Sequence, residues 1–214
     1  MRLYPFNINP VIEKFFSNLI WSVSSAKEKE IFLTFDDGPN EIATPYVLGL
    51  LAKFQYKATF FVVGANAAKH PKLIAQILDE GHSLGNHTYS HISGYKYNVE
   101  NYIKDINLCQ EITKTNLFRP PYGRILTPQI NQLKENFKII MWNQLSGDFD
   151  SKLDVAASLH SLKFNIKAGN IIVFHDSIKA LENLKKILPL YFEHLAAHHY
   201  LPIAMPYQSY VLGE

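Results

Sequence analysis

The sequence predicts an α/β fold in which about seven parallel strands alternate with helices. Short runs rich in β-branched and aromatic residues alternate with longer segments of helical periodicity from residue 31 onward. This alternation indicates parallel strands with helices packed outside them. With 214 residues, of which 47% are hydrophobic, the chain is long enough for one sizeable core. The strands could close into a barrel or form an open, doubly wound sheet. Either arrangement would gather functional side chains at the carboxyl ends of the strands.

Each element is predicted from its composition and from the residues that flank it. The strands are expected at residues 31–35, 58–63, 82–86, 117–119, 137–142, 171–174 and 201–204. Helices are expected at about 44–54, 71–81, 98–115, 127–136 and 153–164, and a last long helix should run to His198 with a kink at Pro189. Residues 1–30 are interpreted as an N-terminal extension that packs on the outside and is partly helical at 11–21. Residues 31–214 are interpreted as a single domain.

The composition excludes several classes of protein. The net charge is only +2 with scattered basic residues, which argues against a nucleic-acid groove. The sequence contains no continuous apolar stretch long enough to span a membrane. Cys109 is the single cysteine, so no internal disulfide is possible, and its expected role is that of a small buried residue. Residues 1–10 lack the apolar run of a secretory signal, so the chain as given is expected to be cytoplasmic, or extracytoplasmic if a leader was removed.

Two adjacent carboxylates, Asp36 and Asp37, directly follow the first predicted strand. An Asp-Gly turn is the structural alternative for this position, but a turn requires only one carboxylate. If one of the pair binds a cation, the neighbouring charge is tolerated and the second carboxylate can serve as a base. Both can border one site, because adjacent residues diverge as they leave a strand.

Two histidines four residues apart, His87 and His91, follow the third predicted strand. This spacing can place both imidazoles on one metal ion, although the spacing alone is a weak signal. His194 and His198 have the same spacing on the last helix, where we interpret them as part of a solvated face. Two imidazoles and one strand-end carboxylate would form a three-ligand set with an open position, which suits catalytic zinc.

Further polar residues follow the other strands. Arg119 precedes two prolines and Tyr122, so its planar guanidinium could orient a carboxylate while the rigid loop aims the Tyr122 amide at a ligand. The alternative is a structural proline turn with a surface arginine. His175 ends the sixth strand and could pair with Asp148, although a lone histidine beside an apolar run is more often a core residue. Polar clusters at the ends of five strands are unlikely to be independent accidents.

In combination these motifs resemble the polysaccharide deacetylase family, carbohydrate esterase family four. The resemblance covers about residues 30–205 and rests on five motifs: TFDDGP at 34–39, HTYSH at 87–91, RPPYG at 119–123, residues 142–149, and VFH at 173–175. The first three are highly specific together. Three positions depart from the family pattern: Leu145 replaces a frequent Asp, Phe149 a usual Trp, and Val173 a usual Leu. The last two changes keep apolar walls but alter the shape of the pocket.

The resemblance implies a distorted (β/α) barrel with about seven parallel strands, and a role for each motif residue. Asp37, His87 and His91 would bind a divalent metal, with zinc the expected ion. Asp36 would be the general base, oriented by Arg119. The Tyr122 backbone amide would help to hold the oxyanion, and His175, tuned by Asp148, would be the general acid. Tyr122, Trp142, Phe149 and Val173 could form an apolar wall for the acetyl group or a sugar ring, although core packing is the favoured interpretation for Trp142 and the alternative for Tyr122.

The activity implied is hydrolysis of N-acetyl groups on a saccharide that contains N-acetylglucosamine, either peptidoglycan or a chitin-like chain. Three alternatives remain open at this stage: an O-acetyl esterase acting on acetylxylan, an amidase of a small non-sugar amide, and a sugar-binding module that has lost activity. The intact set of metal ligands, base and acid argues against the last, because binding alone requires neither a base nor an acid. The expected partner is the saccharide substrate, and the sequence carries no indication of oligomeric state.

Overall fold

The computed structural model describes residues 4–24 and 26–206, and the α/β class predicted from the sequence is confirmed. In this part of the chain the strands are β1 (Glu30–Asp36), β2 (Ala58–Val62), β3 (Ser83–Asn86), β4 (Leu117–Phe118), β5 (Lys138–Ile139), β6 (Gln144–Leu145), β7 (Ile171–His175) and β8 (Leu201–Pro202). The helices are α1 (Pro10–Phe15), α2 (Ala43–Phe54), α3 (Gly64–Lys69), α4 (Pro71–Asp79), α5 (Val99–Thr113), α6 (Thr127–Leu133), α7 (Val155–Phe164) and α8 (Leu181–Ala197). Short 3₁₀ turns lie at Gly94–Lys96 and Pro121–Gly123. None of the described helices is both long enough and apolar enough to cross a membrane.

The strands form one curled, parallel half-barrel with helices outside. Their order is β5-β4-β3-β2-β1-β7-β6, and β8 pairs with the start of β1. Every pair of strands runs parallel, so the carboxyl ends lie on one rim. In the register, Asp36 is the partner of His175 across β1 and β7. The predicted base and acid are therefore brought to neighbouring positions by backbone pairing alone.

The central strand β1 shows how the core divides into two layers. Leu33 and Phe35 belong to the cluster that packs against the outer helices, whereas Phe32 belongs to the cluster that contains Phe61. Successive side chains of a strand point to opposite faces, so Thr34 and Asp36 lie on the Phe32 face. Apolar residues fill this inner face low in the half-barrel, and polar residues occupy it at the rim.

Two element predictions are corrected by the structure. The run 137–142 was expected to be one strand, but it contains only β5, and the separate strand β6 follows it. The amide of Met141 donates to Ile20, and the amide of Asn143 donates to Ile171, so the chain changes its backbone partner here although residues 139–142 are all apolar. In addition, the second strand was expected at 58–63, but β2 ends at Val62 and helix α3 begins at Gly64. A run of hydrophobic residues indicates that the segment is buried, but it does not indicate at which residue the backbone changes its hydrogen-bonding partner.

The N-terminal segment, residues 4–24, runs along the gap between β5 and β6. The amide of Ile20 donates to Ile139, and the amide of Met141 donates back to Ile20, at 2.9 and 2.7 Å. Further along, the amide of Leu145 donates to Phe6 at 2.8 Å. This segment therefore covers the two strand edges that the half-barrel would otherwise leave exposed. The division into residues 1–30 and 31–214 stays an interpretation, but the two parts share backbone hydrogen bonds.

Candidate active site

Three potential metal ligands converge at the rim of the half-barrel. Asp37 immediately follows β1, and His87 and His91 lie in the loop after β3. The Oδ1 atom of Asp37 is 3.1 Å from Nε2 of His91 and 3.7 Å from Nε2 of His87. Within the described ranges, this is the group of His, Cys, Asp and Glu side chains whose ligand atoms lie within 4.8 Å of one another. The structure thus brings together the set expected from the sequence.

The spacing of these atoms fits a small divalent cation. Ligand bonds of about 2.0–2.2 Å in a tetrahedral arrangement place ligand atoms about 3.3–3.6 Å apart, close to the two distances above. His87 is buried, and burial lowers its pKa to about 4, so its imidazole is neutral and has a lone pair to donate. Burial alone would raise the pKa of Asp37, but the hydrogen bond to His91 and the nearby imidazoles lower it well below the ordinary range. Its carboxylate is therefore ionised, as a ligand must be.

Outer hydrogen bonds fix the orientation of both imidazoles. Nδ1–H of His87 donates to the carbonyl of Arg119 at 2.8 Å, which leaves Nε2 free to face the metal position. Nδ1 of His91 lies 3.2 Å from the hydroxyl oxygen of Tyr122. The loop between the histidines is held by Asp105 on α5, whose Oδ1 accepts the amides of Tyr89 and Ser90 at 2.8 and 2.9 Å. Asp105 is a supporting residue that sequence reasoning missed, because a single acid in a helix resembles any solvated charge.

Several residues of the site have backbone conformations that residues other than glycine rarely adopt. Asp37, His91 and Tyr122 have φ values of 80°, 55° and 61°, in the left-handed region. Each such residue costs on the order of 1–3 kcal/mol and persists only where the surrounding structure fixes it. Two of the three are metal-ligand candidates, and the hydroxyl of the third lies 3.2 Å from Nδ1 of His91. Positive φ values also occur away from the site, at Lys29, Gln55, Lys114 and His199.

The buried pair of Asp36 and Arg119 forms the second part of the site. Arg119 is fully buried, and its Nη1 donates at 2.7 Å to Oδ1 of Asp36 and at 2.7 Å to Oγ1 of Thr34. Its other nitrogens donate to the carbonyls of Ile140 and Met141, and its guanidinium stacks 4.1 Å from the Phe61 ring centroid. Burial lowers the pKa of Arg119, and the charge of Asp36 opposes this effect. The prediction that Arg119 orients a carboxylate agrees with this geometry, and the surface-arginine alternative does not.

His175 and Asp148 form a second pair at the pocket, in which Asp148 is buried and His175 is half-buried. Nδ1–H and the backbone amide of His175 donate to the two carboxylate oxygens of Asp148, both at 2.7 Å. Burial of the imidazole would lower its pKa, but the charge and hydrogen bond of Asp148, with help from Asp37 and Asp36, raise the pKa of His175 to about 9. His175 is therefore protonated at neutral pH and can donate a proton.

These groups surround one pocket of about 460 Å³, within the usual range for small-molecule sites. The apolar residues expected as a substrate wall all line it: Tyr122, Trp142, Phe149 and Val173, together with Leu145. Phe149 packs edge-on against the His175 ring, with centroids 5.1 Å apart and an interplanar angle of 77°. Their roles toward a substrate remain predictions. Tyr4 also lines this pocket, and nothing in the sequence marked it, since its partners are distant along the chain.

Asp176 is a further buried acid beside the site, to which the sequence assigned no role. Its carboxylate accepts the amide of Gly38 at 3.1 Å and the hydroxyl of Thr44 at 2.6 Å. A Cβ atom at Gly38 would approach the Asp176 carboxylate to 2.1 Å, so only glycine allows this contact. Asp176 thereby holds the turn that follows the two site carboxylates. Burial raises the pKa of Asp176 to about 8.

The residues that we interpreted as structural lie away from this pocket. Cys109 is buried, and burial raises its pKa to about 12, which makes it a poor nucleophile. His194 lies on α8 and His198 directly follows this helix, with their ring centroids 4.1 Å apart. His198 is exposed and His194 half-buried, and neither belongs to a metal-ligating group among the residues described. The two histidine pairs have identical spacing but different surroundings, because only His87 and His91 lie beside a third potential ligand, Asp37, in the described part of the chain.

A curled half-barrel whose rim carries two imidazoles and a carboxylate, beside an Asp–Arg pair and a His–Asp pair, is an arrangement suited to metal-assisted hydrolysis. A family model for polysaccharide deacetylases matches residues 24–137, more than half of the chain. The chain belongs to the polysaccharide deacetylase family, as the resemblance of its motifs indicated. The matched range contains the three potential metal ligands as well as Asp36 and Arg119. Asp148 and His175 lie after this range.

Known relatives and a solved structure agree with this assignment. Two peptidoglycan-N-acetylglucosamine deacetylases of Bacillus cereus are similar in sequence. The first is 36% identical over 75% of this chain and 62% of its own length, and the second is 34% identical over 79% of this chain and 84% of its own. The match thus spans less than two thirds of the first relative. A crystal structure of a peptidoglycan N-acetylglucosamine deacetylase in complex with 4-naphthalen-1-yl-N-oxidanyl-benzamide has a TM-score of 0.78 and 30% identity, covering 93% of this chain and 96% of that one.

Proposed function

We propose that this protein removes N-acetyl groups from a saccharide that contains N-acetylglucosamine, of the peptidoglycan type, with a bound zinc ion. One observation carries the proposal. A single pocket is bordered by a metal-ligand group, by a carboxylate fixed on an arginine, and by a histidine held protonated by a buried acid. Metal-assisted hydrolysis of an amide uses a site for the ion, a base for the attacking water and an acid for the departing nitrogen, and the pocket offers a candidate for each. The names and folds of the relatives support the choice of substrate class.

The proposed ion is zinc because the ligand set is two imidazoles and one carboxylate, which is typical of catalytic zinc with an open position. A bound cation of this kind polarises an acyl oxygen and lowers the pKa of water from 15.7 toward about 7. Elemental analysis of protein purified without chelator tests the identity of the ion.

The residues of the chain then divide the reaction between them. The carboxylate of Asp36, held through one oxygen by Arg119, accepts the proton of the attacking water. The Tyr122 amide donates to the oxyanion that develops on the acetyl carbonyl, where one such donor contributes about 2.7–4 kcal/mol. An amine is a poor leaving group until it is protonated, so His175 delivers a proton to the departing nitrogen. The Asp148 carboxylate keeps that proton available at neutral pH.

The test measures acetate released by the purified, metal-loaded protein. The substrates are N-acetylglucosamine oligomers, soluble peptidoglycan fragments and acetylxylan. We expect release from the N-acetylated saccharides, and at least a hundredfold less from Asp36→Asn, whose metal content and melting temperature are measured in parallel. Asp79→Asn, an exposed carboxylate at the end of α4, is the matched control. Faster release from acetylxylan would replace the proposal by the esterase alternative, and no release from any substrate would reject it. The cytoplasmic location stays a prediction, which cell fractionation tests.

A further inference from the structure

The junction between β2 and α3, residues 62–66, lies against both loops that carry the potential metal ligands. Asp37 is on the loop after β1, His87 and His91 are on the loop after β3, and β2 runs between these two strands in the sheet. The two loops are far apart along the chain. The contacts that hold each of them to the junction therefore help to set the spacing of the ligand atoms.

On one side, the junction holds the backbone that carries Asp37. The side-chain amide of Asn66 donates to the carbonyl of Asp37 at 2.8 Å, and the backbone amide of Val63 donates to the carbonyl of Gly38 at 3.0 Å. From the end of β7, the carboxylate of Asp176 accepts the amide of Gly38 at 3.1 Å. The φ value of Asp37 is 80°, a conformation that persists only where neighbouring groups fix it. Asn66 bonds directly to this strained residue.

On the other side, the same junction holds the loop between the two histidines. The amide of Gly64 donates to the carbonyl of Thr88 at 3.0 Å, and the amide of Ala65 donates to the carbonyl of Tyr89 at 2.9 Å. A Cβ atom at Gly64 would approach the Tyr89 ring to 2.6 Å and the Tyr89 Cα atom to 3.0 Å. The loop can lie this close because residue 64 is a glycine. Four consecutive residues, 63–66, thus bond to both ligand loops.

Asn66 differs from the rest of the junction because it makes its contact through a side chain. The other contacts use backbone amides, which a substitution leaves in place. Asn66 is half-buried, and its amide ends on the carbonyl of a potential metal ligand. Without that hydrogen bond Asp37 can relax toward an ordinary φ value. Its carboxylate would then leave the position in which Oδ1 is 3.1 Å from Nε2 of His91.

We propose that Asn66 is a positioning residue of the metal site, which holds Asp37 at the spacing that the two imidazoles require. It acts through the backbone of Asp37. The inference rests on the metal site of the proposed function, since it assumes that Asp37, His87 and His91 hold a divalent cation. Loss of a hydrogen bond that supports a metal ligand typically lowers metal affinity or activity about 10–100-fold.

The experiment measures the zinc dissociation constant of the full-length protein by competition with a chromophoric chelator. Asn66→Leu keeps most of the side-chain volume and removes the donor, whereas Asn66→Ala removes both. We expect each variant to bind zinc about 10–100-fold more weakly than the wild type. Asn165→Ala is the matched control, because the Asn165 amide also donates to a backbone carbonyl, that of Ser161 at 3.3 Å, but does not line the catalytic pocket. This control should bind zinc as the wild type does.

The dependence of activity on zinc gives a second measurement. At saturating zinc the cation attracts the Asp37 carboxylate back to its position, so kcat of Asn66→Leu should return toward the wild-type value with KM unchanged. At limiting zinc the variant should be much less active than the wild type. A kcat that stays low at saturating zinc, with zinc affinity unchanged, would contradict the proposal.

The outcomes separate this inference from the proposed function. If the Asn66 variants bind zinc as tightly as the wild type, the inference is overturned, even where the melting temperature of the metal-free protein has fallen, because Asn66 then has only a structural role. Should Asn66→Leu not fold, Asn66→Ala gives the same test. A wild-type protein that binds no divalent cation would reject the metal site and the inference together. A wild-type protein that binds zinc but releases no acetate would reject the proposed function, and the zinc affinities would still decide the role of Asn66.

Discussion

Replacing Asp148 by asparagine isolates the electrostatic role of one buried charge. The carboxylate accepts two hydrogen bonds from His175 and is itself fully buried. Asparagine has nearly the same shape, and its carbonyl can still accept one of these bonds. The variant therefore removes the negative charge while it largely preserves the shape of the site. We expect the pKa of His175 to fall, because the charge of Asp148 is the main contribution that opposes its desolvation.

The magnitude follows from the geometry. With Nδ1 and Oδ1 2.7 Å apart, the centres of the two charged groups are about 4 Å apart, which corresponds to about 4 kcal/mol at an effective dielectric constant of 20. Since one pH unit corresponds to 1.36 kcal/mol, the pKa of His175 should fall by about three pH units. A bound cation would offset the charge of Asp37 in both proteins alike, so the difference between them should persist.

The assay is the pH profile of kcat/KM for an N-acetylated oligomer. The acid must be protonated to act, so activity is lost as pH rises through the pKa of His175, which the charge and hydrogen bond of Asp148 hold above the ordinary value. In Asp148→Asn this alkaline limb should move to lower pH by two to three pH units, while Asp79→Asn should leave it in place. An alkaline limb that stays at the wild-type pH in Asp148→Asn, with metal content intact, would refute the assignment of His175 as the acid governed by Asp148.

Four further predictions test the remaining parts of the site. Asp37→Asn should lose the metal, whereas Asp36→Asn should keep the metal and lose turnover. Elemental analysis measures the metal content of both variants. Equal loss of metal from the two variants would mean that the two carboxylates share one role. His175→Ala should slow amide hydrolysis about 10²–10⁴-fold. The variant should largely keep its rate of hydrolysis of 4-nitrophenyl acetate, because the phenolate of that ester departs without an acid. Equal slowing of both reactions, with metal retained, would point to a positioning role for His175. Phe149→Ala should raise KM for the saccharide without unfolding, whereas an unchanged KM with a lower melting temperature would mean core packing. Asp176 has its pKa raised by burial to about 8, so the folded state holds a proton that the unfolded state releases above about pH 4. Stability of the metal-free protein should therefore fall as pH rises from about 4 to 8, and denaturant titrations of Asp176→Asn should lack this part of the decline.

The strand-end residues could be predicted from sequence because parallel strands bring their carboxyl ends to one rim. Asp37, His87 and His91 follow two different strands, and backbone register alone sets them near one another. Local sequence also distinguished this pair of histidines from the pair at the end of α8. The family resemblance added the individual roles, which spacing left open between the two adjacent carboxylates.

The supporting contacts could not be predicted, because their signals are not local. Asp105 holds the histidine loop from the middle of a helix, and Asp176 holds the turn after Asp37 from the end of the neighbouring strand β7, 138 positions further along the chain. Each resembles an ordinary acid until its partners are known. Tyr4 is a similar case, since its hydroxyl reaches Asp150 across 146 positions. The boundary between β5 and β6 was missed because the apolar residues 139–142 continue past the end of β5, and local sequence does not show that the chain changes its backbone partner there.

The path of the N-terminal segment also constrains the order in which the protein can fold. Tyr4 and Asn7 form hydrogen bonds to residues 146 and 154 positions further along the chain. During synthesis, this first part of the protein must remain unpaired until most of the barrel has been made. Contacts of such long range slow folding, because the entropy of closing the loop is lost before the contacts form. The two short edge strands are exposed to other chains during that interval. Binding of the N-terminal segment between β5 and β6 is therefore expected to be a late step of folding. Association with other chains competes with this step and increases with protein concentration, so chaperones that shield strand edges should increase the yield of folded protein.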